Sequence, residues 1–469
     1  MRLRPGWSVL TGALIIGLPG CVLLNPTDPY AGMTLSSAPR SGGGPAIREV
    51  RSVQGPLTLE EAVRVALANN PEAAAMAREV EAFEAQRQAA AGQRWPSLHV
   101  AGGYNHYQDG QRLIAARENG EPGVFSRDIF GGDVVINMPL FTGGRITSEI
   151  KAAELLQKAA EHRLARTREE LVFNVSSVFY GILTQRKVVE SLEFSRKAIQ
   201  EHLKRIQDLI ASQKAADVDR LRVEVRLADL EQRLVRERNV LAVQLRVLAN
   251  LLGLDRLEKP IEPAGELSFA GDAIPEVEHA LRMAFDGRSD YLAARAALEA
   301  QARAVDAARA AHWPTVALQG AYGGRWASST TDRPSGSDIA DDAGRVGVVV
   351  DIPIFEGGRI DARIRQEKAR LIAAQERLRR LELQIQLDVE TAVLNIGSAA
   401  QRVEATEKAV EQAKESLRIE GEKYGVGKGA LVDVLDAQSA LLDSQTNYYR
   451  ALADYNVAWA QLKLAIGAR

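Results

Sequence analysis

Two aspartates, Asp433 and Asp436, are the residues of this chain best placed to do chemistry, because they follow a glycine-rich turn and begin a predicted helix. Side chains three positions apart share one face of a helix. The pair therefore predicts a cation-attracting surface, although two carboxylates alone are a weak set of metal ligands. The alternative is that they only solvate the helix start, where the helix dipole favours acidic side chains.

Cys21 is the only cysteine of the chain and follows a short apolar run with two arginines before it. A basic start followed by a short apolar core is typical of an export signal. The stretch Leu18-Pro19-Gly20-Cys21 resembles a bacterial lipobox. This resemblance implies that cleavage follows residue 20, that a covalent lipid is attached to Cys21, and that the chain is delivered to the outer membrane. The alternative is an ordinary signal peptide followed by an incidental cysteine.

Other kinds of chemistry have little support in the sequence. The six histidines do not have metal-ligand spacing, and the sequence has no Ser-His-Asp order, HExxH motif or phosphate-binding loop. We therefore expect no enzymatic activity, no metal and no cofactor other than the lipid on Cys21. The formal net charge is −2 and lysines and arginines form no block, so we expect no nucleic-acid partner.

The strongest feature of the sequence is an internal repeat. Residues 139–146 match residues 353–360, which lie 214 positions later, and the same offset aligns Asp219 with Asp433. Trp95-Pro96 matches Trp313-Pro314 at an offset of 218, which indicates a small difference in loop length. Self-similarity on this scale predicts two similar halves that fold together.

Each half predicts the same order of elements: a short helix, a half-helix, two strands, a very long helix and a return helix. The long helices are expected at about 147–212 and 361–424, where apolar residues recur every seven positions as in coiled coils. A helix of that length spans roughly 100 Å. Alternating stretches predict strands at about 97–107, 129–138, 315–326 and 344–352.

These elements predict a mainly α-helical chain with a small β part and a defined domain order. Residues 1–20 form the signal peptide, and residues 21–56, rich in Gly, Pro and Ser, form a lipid-anchored tether. The first repeat covers 57–254 and the second covers 274–469, with a connector at 255–273.

The four predicted strands cannot close a barrel within one chain. An open sheet cannot lie in lipid, because its edges would leave backbone groups without hydrogen bonds. If the strands span a membrane, several chains must share one barrel: two chains would supply eight strands and three would supply twelve, which is wide enough for a pore. The alternative is a soluble β-subdomain on a coiled-coil rod.

The order and duplication of these features resemble the TolC-type outer-membrane efflux factors, over about Leu57 to Gly467. The resemblance rests on the lipobox, the two Phe-x-Gly-Gly-Arg-Ile stretches and the segment from Tyr424 to Ala437. It implies a homotrimer with a twelve-stranded outer-membrane barrel above a periplasmic helical tunnel. The tunnel would stay closed at its tip until an inner-membrane pump and a periplasmic adaptor engage it. The lipid anchor resembles the branch that works with proton-driven multidrug or metal pumps.

The same resemblance assigns roles at the periplasmic gate. It implies that Asp433 and Asp436 line the constriction and that Tyr424 donates a hydrogen bond to Asp219 on the neighbouring hairpin. The gate arginine of the family falls at Gly429 in this chain. We therefore expect that ionic lock to be missing and the closed state to be weaker, with Lys428 as a partial replacement.

The function expected from the resemblance is a passive exit duct of a tripartite efflux system, anchored in the outer membrane. A type I protein-secretion duct with the same architecture is the first alternative. A lipid-anchored structural rod that spans the periplasm without a pore is the second, and an enzyme is the weakest. The sequence does not name the exported substrate, the pump or the adaptor.

Overall fold

The computed structural model describes residues 56–114, 124–213, 216–254, 261–327 and 340–468, all within one unit, Val53–Arg469. Residues 1–55, which include Cys21, the predicted signal peptide and nearly all of the predicted tether, lie outside the described residues. None of the helices in the described ranges combines the length and the apolar character needed to cross a membrane.

The two repeats have the predicted order of elements. The first contains α1 (Leu59–Asn69), α2 (Pro71–Gly92), β1 (Ser97–Ile114), β2 (Val124–Phe141), α3 (Arg145–Ala211) and α4 (Asp217–Leu251). The second contains α5 (Val277–Gly287), α6 (Ser289–Arg309), β3 (Thr315–Ala327), β4 (Ala340–Asp351), α7 (Arg359–Gly425) and α8 (Leu431–Ile466). The long helices α3 and α7 each have 67 residues, which confirms the predicted pair to within two residues at each end.

Side chains at the helix starts explain why the first two helices begin where they do. The Oγ1 atom of Thr58 accepts a hydrogen bond from the backbone N–H of Glu61 at 3.3 Å, so Thr58 caps α1. Asn70 caps α2 by accepting from the backbone N–H groups of Glu72 and Ala73. Pro71 occupies the first helical position, where its missing N–H costs no helical hydrogen bond.

Each long helix starts from a pair of glycines in the left-handed region. Gly143 and Gly144 have φ angles of 62° and 87°, and Gly357 and Gly358 have φ angles of 60° and 78°. A side chain with a Cβ rarely adopts this conformation, so the glycines let the chain turn directly from a strand into a helix. The Phe-x-Gly-Gly-Arg-Ile stretches are therefore turns whose backbone angles require glycine at both central positions.

The four strands form one antiparallel sheet in the order β1-β2-β3-β4, and the β2–β3 pairing joins the two repeats. The predicted strand bounds were too short. Pairing in the first hairpin resumes beyond a register shift between His106 and Gln111, and Gln111 pairs with Ser126. Backbone pairing does not require apolar side chains, so these polar ends gave no alternating signal. Strand β4 begins at Ala340, four residues before its predicted start, and ends at Asp351, one residue before its predicted end.

Cross-strand partners share one face of a sheet, and the register separates an apolar face from a polar one. Val100 pairs with Val134, which pairs with Tyr322. The apolar face also carries Leu98, Tyr104, Phe130, Ile136, Leu318, Trp326, Val346, Val348 and Val350. The opposite face carries Asp133 and Arg325, whose side chains form a bidentate pair at 2.7 and 2.6 Å.

The helices bury three apolar clusters. One belongs to the first repeat, one belongs to the second, and the third joins the repeats. In the third cluster, Leu431 and Leu435 of α8 pack with residues of α3 and α4 such as Leu192 and Val223. Several predicted seven-residue positions of α3 are buried, which confirms the coiled-coil seam: Leu171, Leu192, Ile199 and Ile206.

The described part of the connector, 261–273, is attached to the helices. The backbone N–H of Leu57 donates to the carbonyl of Glu262 at 2.9 Å, and the N–H of Ala264 donates to the carbonyl of Leu57 at 2.8 Å. Arg186 of α3 donates to the carbonyl of Pro263. The connector therefore holds the start of the first repeat against its long helix.

Candidate functional site

The candidate site lies at the tip of the second helical hairpin, where α7 turns into α8. The N–H of Gly427 donates to the carbonyl of Tyr424 at 3.0 Å, and the N–H of Lys428 donates to the carbonyl of Lys423 at 2.8 Å. Gly427 has a φ angle of 74°, in the left-handed region. These bonds satisfy carbonyls at the end of α7 and set the position from which α8 starts.

Asp433 and Asp436 are both exposed on the first turns of α8. The carboxylate of Asp433 accepts a long hydrogen bond, 3.4 Å, from the backbone N–H of Ala430. Asp433 therefore contributes to the helix start, as the capping interpretation predicts. Asp436 forms no such contact with the helix start within the described chain, so its carboxylate is available to solvent.

The aspartates and Lys428 line one open cleft of about 700 Å³. Glu420 and Lys423 of α7 also line it, and their side chains pair at 2.7 Å. The remaining lining residues are small: Ser416, Gly429, Ala437 and Ala440. The structure thus brings three of the five predicted gate residues to one cleft, where Lys428 lies on the same surface as the carboxylates of Asp433 and Asp436.

Gly429 has a steric reason to be a glycine. A Cβ atom at this position would lie 3.0 Å from the Cβ of Lys423 and 3.0 Å from the backbone N of Tyr424. Such distances are tighter than ordinary van der Waals contact, so a larger residue requires the turn to shift. The turn is therefore fitted to the glycine that stands where the family resemblance places an arginine.

Tyr424 and Asp219 have separate surroundings within one chain. Tyr424 is half-buried and packs against the cluster that joins the two repeats. Asp219, in the first turn of α4, accepts from Arg222 at 3.4 Å. No hydrogen bond links Tyr424 to Asp219 among the described residues of this single chain, and their pairing with a neighbouring hairpin stays a prediction.

Sequence reasoning missed two polar contacts between the return helices α4 and α8. Arg226 of α4 donates to the hydroxyl of Ser439 of α8, and that hydroxyl donates to the carbonyl of Leu435 at 2.9 Å. Further along the helices, Arg233 lies 3.9 Å from Asp443. Arginines are frequent along these helices. The sequence therefore gave no signal that Arg226 and Arg233, among many arginines, contact residues of α8.

A second missed group is the buried charge network at the joint between α5 and α6. Arg288 is 2% exposed and pairs with Asp290 at 2.7 Å. Burial acts to raise the pKa of Asp290, but hydrogen bonding and charge attraction from Arg288 outweigh it and lower the pKa. The repeat supplies a signal for this site, because Arg288 lies 218 positions after Asn70 and occupies the equivalent helix joint.

No metal centre is evident in the residues that the structure describes, where no three His, Cys, Asp or Glu side chains are placed to hold an ion. The chemistry available at the hairpin tip is therefore electrostatic: exposed carboxylates, a nearby lysine, and a turn whose shape is fixed by backbone hydrogen bonds.

The chain matches the family model described as outer membrane efflux protein, over residues 62–254 and 280–468. The two matched ranges correspond to the two repeats. Outer membrane protein TolC of Vibrio cholerae is 24% identical over 374 residues, covering 79% of this chain and 82% of that protein. Cobalt-zinc-cadmium resistance protein CzcC of Cupriavidus metallidurans is 24% identical over 414 residues, covering 86% and 88%.

The fold is also found in solved structures. The outer membrane protein VceC of Vibrio cholerae superimposes with a TM-score of 0.71 at 20% identity, covering 87% of this chain and 96% of that chain. At this identity the comparison establishes the fold alone. It confirms the predicted class, a tandem-repeat helical barrel with a small β part contributed to a β-barrel.

Proposed function

The chain belongs to the outer membrane efflux protein family, and on that premise we propose that three copies form the outer-membrane exit duct of a tripartite efflux system. Members of this family are trimeric outer-membrane channels that work with adaptors and inner-membrane pumps. For this chain, the proposal therefore covers both the trimer and its work with an adaptor and an inner-membrane pump.

The observation that carries the proposal is the sheet with two open edges. In the described part of the chain, β1 pairs only with β2 and β4 pairs only with β3. One face of this sheet is apolar and exposed, with Val100 79% and Val346 78% accessible. A lipid-facing sheet must close on itself, so further strands have to come from other copies. Three copies supply twelve strands.

Aromatic residues support a membrane position for this sheet. Near its loop end, the rings of Tyr104 and Phe130 lie 4.8 Å apart, and those of Phe130 and Trp326 lie 5.6 Å apart. At the helix end, Trp95 and Trp313 are both largely exposed. Aromatic belts at the two interfaces are a feature of outer-membrane barrels, because such rings favour the boundary between lipid and water.

The long helices support a duct that reaches far from the membrane. At about 1.5 Å per residue, 67 residues extend roughly 100 Å. The exposed carboxylates of Asp433 and Asp436 lie at the end of that distance from the sheet. In a trimer they would form two rings of three carboxylates each, which repel one another unless cations screen them. Such rings favour the passage of cations.

Deleting the gene in its own host tests efflux against protein secretion. For efflux, we expect greater sensitivity to dyes, detergents or metal salts, and co-purification of a tagged chain with an adaptor and a proton-driven pump. Unchanged sensitivity with the loss of a secreted protein, together with co-purification of an ATP-driven exporter, would assign the chain to type I secretion instead. A chain that is stably present but conducts no ions in a bilayer would favour the structural rod.

A further inference from the structure

The polar face of the sheet carries one ion pair that is fitted against the strands. Asp133 and Arg325 pair through both carboxylate oxygens, at 2.7 and 2.6 Å. A Cβ atom built at Gly131 would lie 3.1 Å from the Cδ atom and 3.2 Å from the Nε atom of Arg325, so this side chain lies flat over the glycine. A Cβ atom built at Gly323 would overlap the carboxylate of Asp133. The two glycines therefore make room for the pair, whose charges neutralise each other.

Arg345 of β4 is a second arginine on the same face, and it lacks such a partner. Its side chain is exposed, and it forms no ion pair with the side chains that the structure describes. The carboxylate of Asp133 is already occupied by Arg325. A Cβ atom built at Gly347, two residues along β4, would meet nothing within 4 Å, so the space on this side of the strand is open.

Arg345 lies in the part of the sheet that would span the membrane. Its neighbour Val346 belongs to the apolar face and is 78% exposed. Successive side chains of a strand point to opposite faces, so Arg345 belongs to the polar face. Arg345 precedes Asp351, the last residue of β4, by six positions, which is about 20 Å along the strand. The apolar band of an outer-membrane barrel is about 25 Å tall, so the charge of Arg345 lies within that band.

The strand register places few charges beside Arg345 on the polar face. The residues that share its row across the sheet are Ala321, Val135 and His99. The next row toward the helices is uncharged and consists of Gly347, Gln319, Asn137 and Ser97. The next row toward the loops contains Asp133, which Arg325 neutralises, and Asp341 follows one row further, opposite Arg325. With His99 neutral, Arg345 is therefore the charge without a counterion in these three rows.

We propose that Arg345 forms a positively charged ring inside the outer-membrane barrel, where it attracts anions. The inference rests on the proposed trimer, in which the polar face lines the lumen and each copy contributes one arginine. It gives the duct charges of opposite sign along its length, with carboxylates at the tip and guanidinium groups in the barrel. A guanidinium donates several N–H groups in a geometry that matches carboxylate and phosphate oxygens, so these are the groups expected to bind at the ring.

Reversal potentials across a salt gradient in planar bilayers test the ring in the full-length protein. Arg345→Gln should raise the cation-to-anion permeability ratio about two-fold or more at about 0.1 M salt, because three charges act on every ion that passes. The difference should shrink at about 1 M salt, where the Debye length falls to about 3 Å. Arg345→Lys keeps the charge and should keep a ratio close to that of the wild type. Recording near pH 8 keeps His99 uncharged.

The ion pair on the same face supplies a matched control. Asp133→Asn with Arg325→Gln removes one charge of each sign and should leave the permeability ratio close to that of the wild type. Block by a multivalent anion is a second readout. Hexacyanoferrate added to both compartments should block the wild type and Arg345→Lys more strongly than Arg345→Gln. Arg345→Cys gives an independent variant: a cationic thiol reagent should lower its ratio toward that of the wild type, and an anionic reagent should raise it.

The outcomes separate this inference from the proposed function. Conducting channels in which Arg345→Gln keeps the permeability ratio and the anion block of the wild type would overturn the ring. A control variant that shifts the ratio as far as Arg345→Gln does would also overturn it, because the effect would not be specific to Arg345. Thiol reagents of opposite charge with the same effect on Arg345→Cys would do so independently. Wild-type protein that inserts without conducting would instead overturn the proposed duct, and the ring with it.

Discussion

The guanidinium of Arg288 lies 3.0 Å from the carboxylate of Asp388, and this pair ties the joint between α5 and α6 to the middle of α7. Arg288 also donates to the carbonyl of Ala465 at 3.4 Å, near the end of α8. At the equivalent joint of the first repeat, Asn70 donates to the carbonyl of Leu251 at 3.1 Å. The two repeats thus close the same joint, one with a neutral amide and the other with a buried charge.

Replacing Arg288 with alanine should destabilise the protein strongly. The change would leave the carboxylates of Asp290 and Asp388 without their shared cation, and breaking a buried pair costs about 3 kcal/mol or more. Helix loss followed by circular dichroism during denaturation measures the effect. Arg282→Ala is the matched control, because its pair with Glu278 is largely exposed and should matter little. Equal midpoints for the two variants would contradict the role of Arg288.

The stability of the helical part should fall as the pH drops below the pKa of an ordinary histidine. Burial lowers the pKa of His202 on α3 from 6.5, and the nearby Arg205 adds to the shift while Glu201 opposes it. The unfolded chain then binds the proton at a higher pH than the folded chain does. Stability is therefore lost progressively from about pH 6.5 downward, until the folded histidine is also protonated.

His202→Gln should remove much of this pH dependence between neutral and mildly acidic conditions. The control His279→Gln replaces a histidine that is exposed on α5. Thermal melts at several pH values between 7.5 and 5 give the comparison. A His202→Gln protein that loses stability on acidification as steeply as the wild type would show that other groups are responsible.

Cys21 should be acylated at the mature N-terminus. The lipobox and the absence of any other cysteine in the sequence are the basis of this prediction. Labelled palmitate supplied to growing cells should mark the wild type and leave Cys21→Ala unlabelled. Membrane attachment should survive in the variant, because one lipidated residue offers far less apolar area than a shared barrel. Label retained by Cys21→Ala would refute acylation at this residue.

Pairing between Tyr424 and Asp219 should stabilise the closed state of the hairpin tip. The double variant Tyr424→Phe with Asp219→Ala removes both hydrogen-bonding groups and should raise the opening frequency in single-channel recordings. Asp217→Ala is a matched control, because Asp217 pairs with Arg220 at 2.9 Å in the same turn. If the double variant opens no more often than this control, the proposed pairing of the two hairpins is wrong.

Much of the fold could be predicted because the duplication repeats its signals. The long helices carry seven-residue apolar patterns, and Leu192 and Ile206 are buried as those patterns require. The glycine pairs mark both strand-to-helix turns, since only glycine takes their backbone angles readily. The strands were predicted too short because their outer ends pair through backbone groups while carrying polar side chains.

The candidate site could be predicted only in part. Asp433 and Asp436 were found from their spacing after the turn, and the cleft they share with Lys428 follows from that turn. The partners of Arg226 and Arg288 could not be found, because they depend on which helices become neighbours after the hairpins fold. Spacing along one helix does not contain that information.

The most direct test of the account is single-channel recording of the purified full-length protein in a planar bilayer. A trimeric duct with carboxylate rings at its tip should conduct ions, prefer cations and be blocked by a multivalent cation such as La³⁺. Asp433→Ala with Asp436→Ala should lower both the cation preference and the block. Preparations that insert without conducting, or a double variant with the selectivity and block of the wild type, would contradict the central claim.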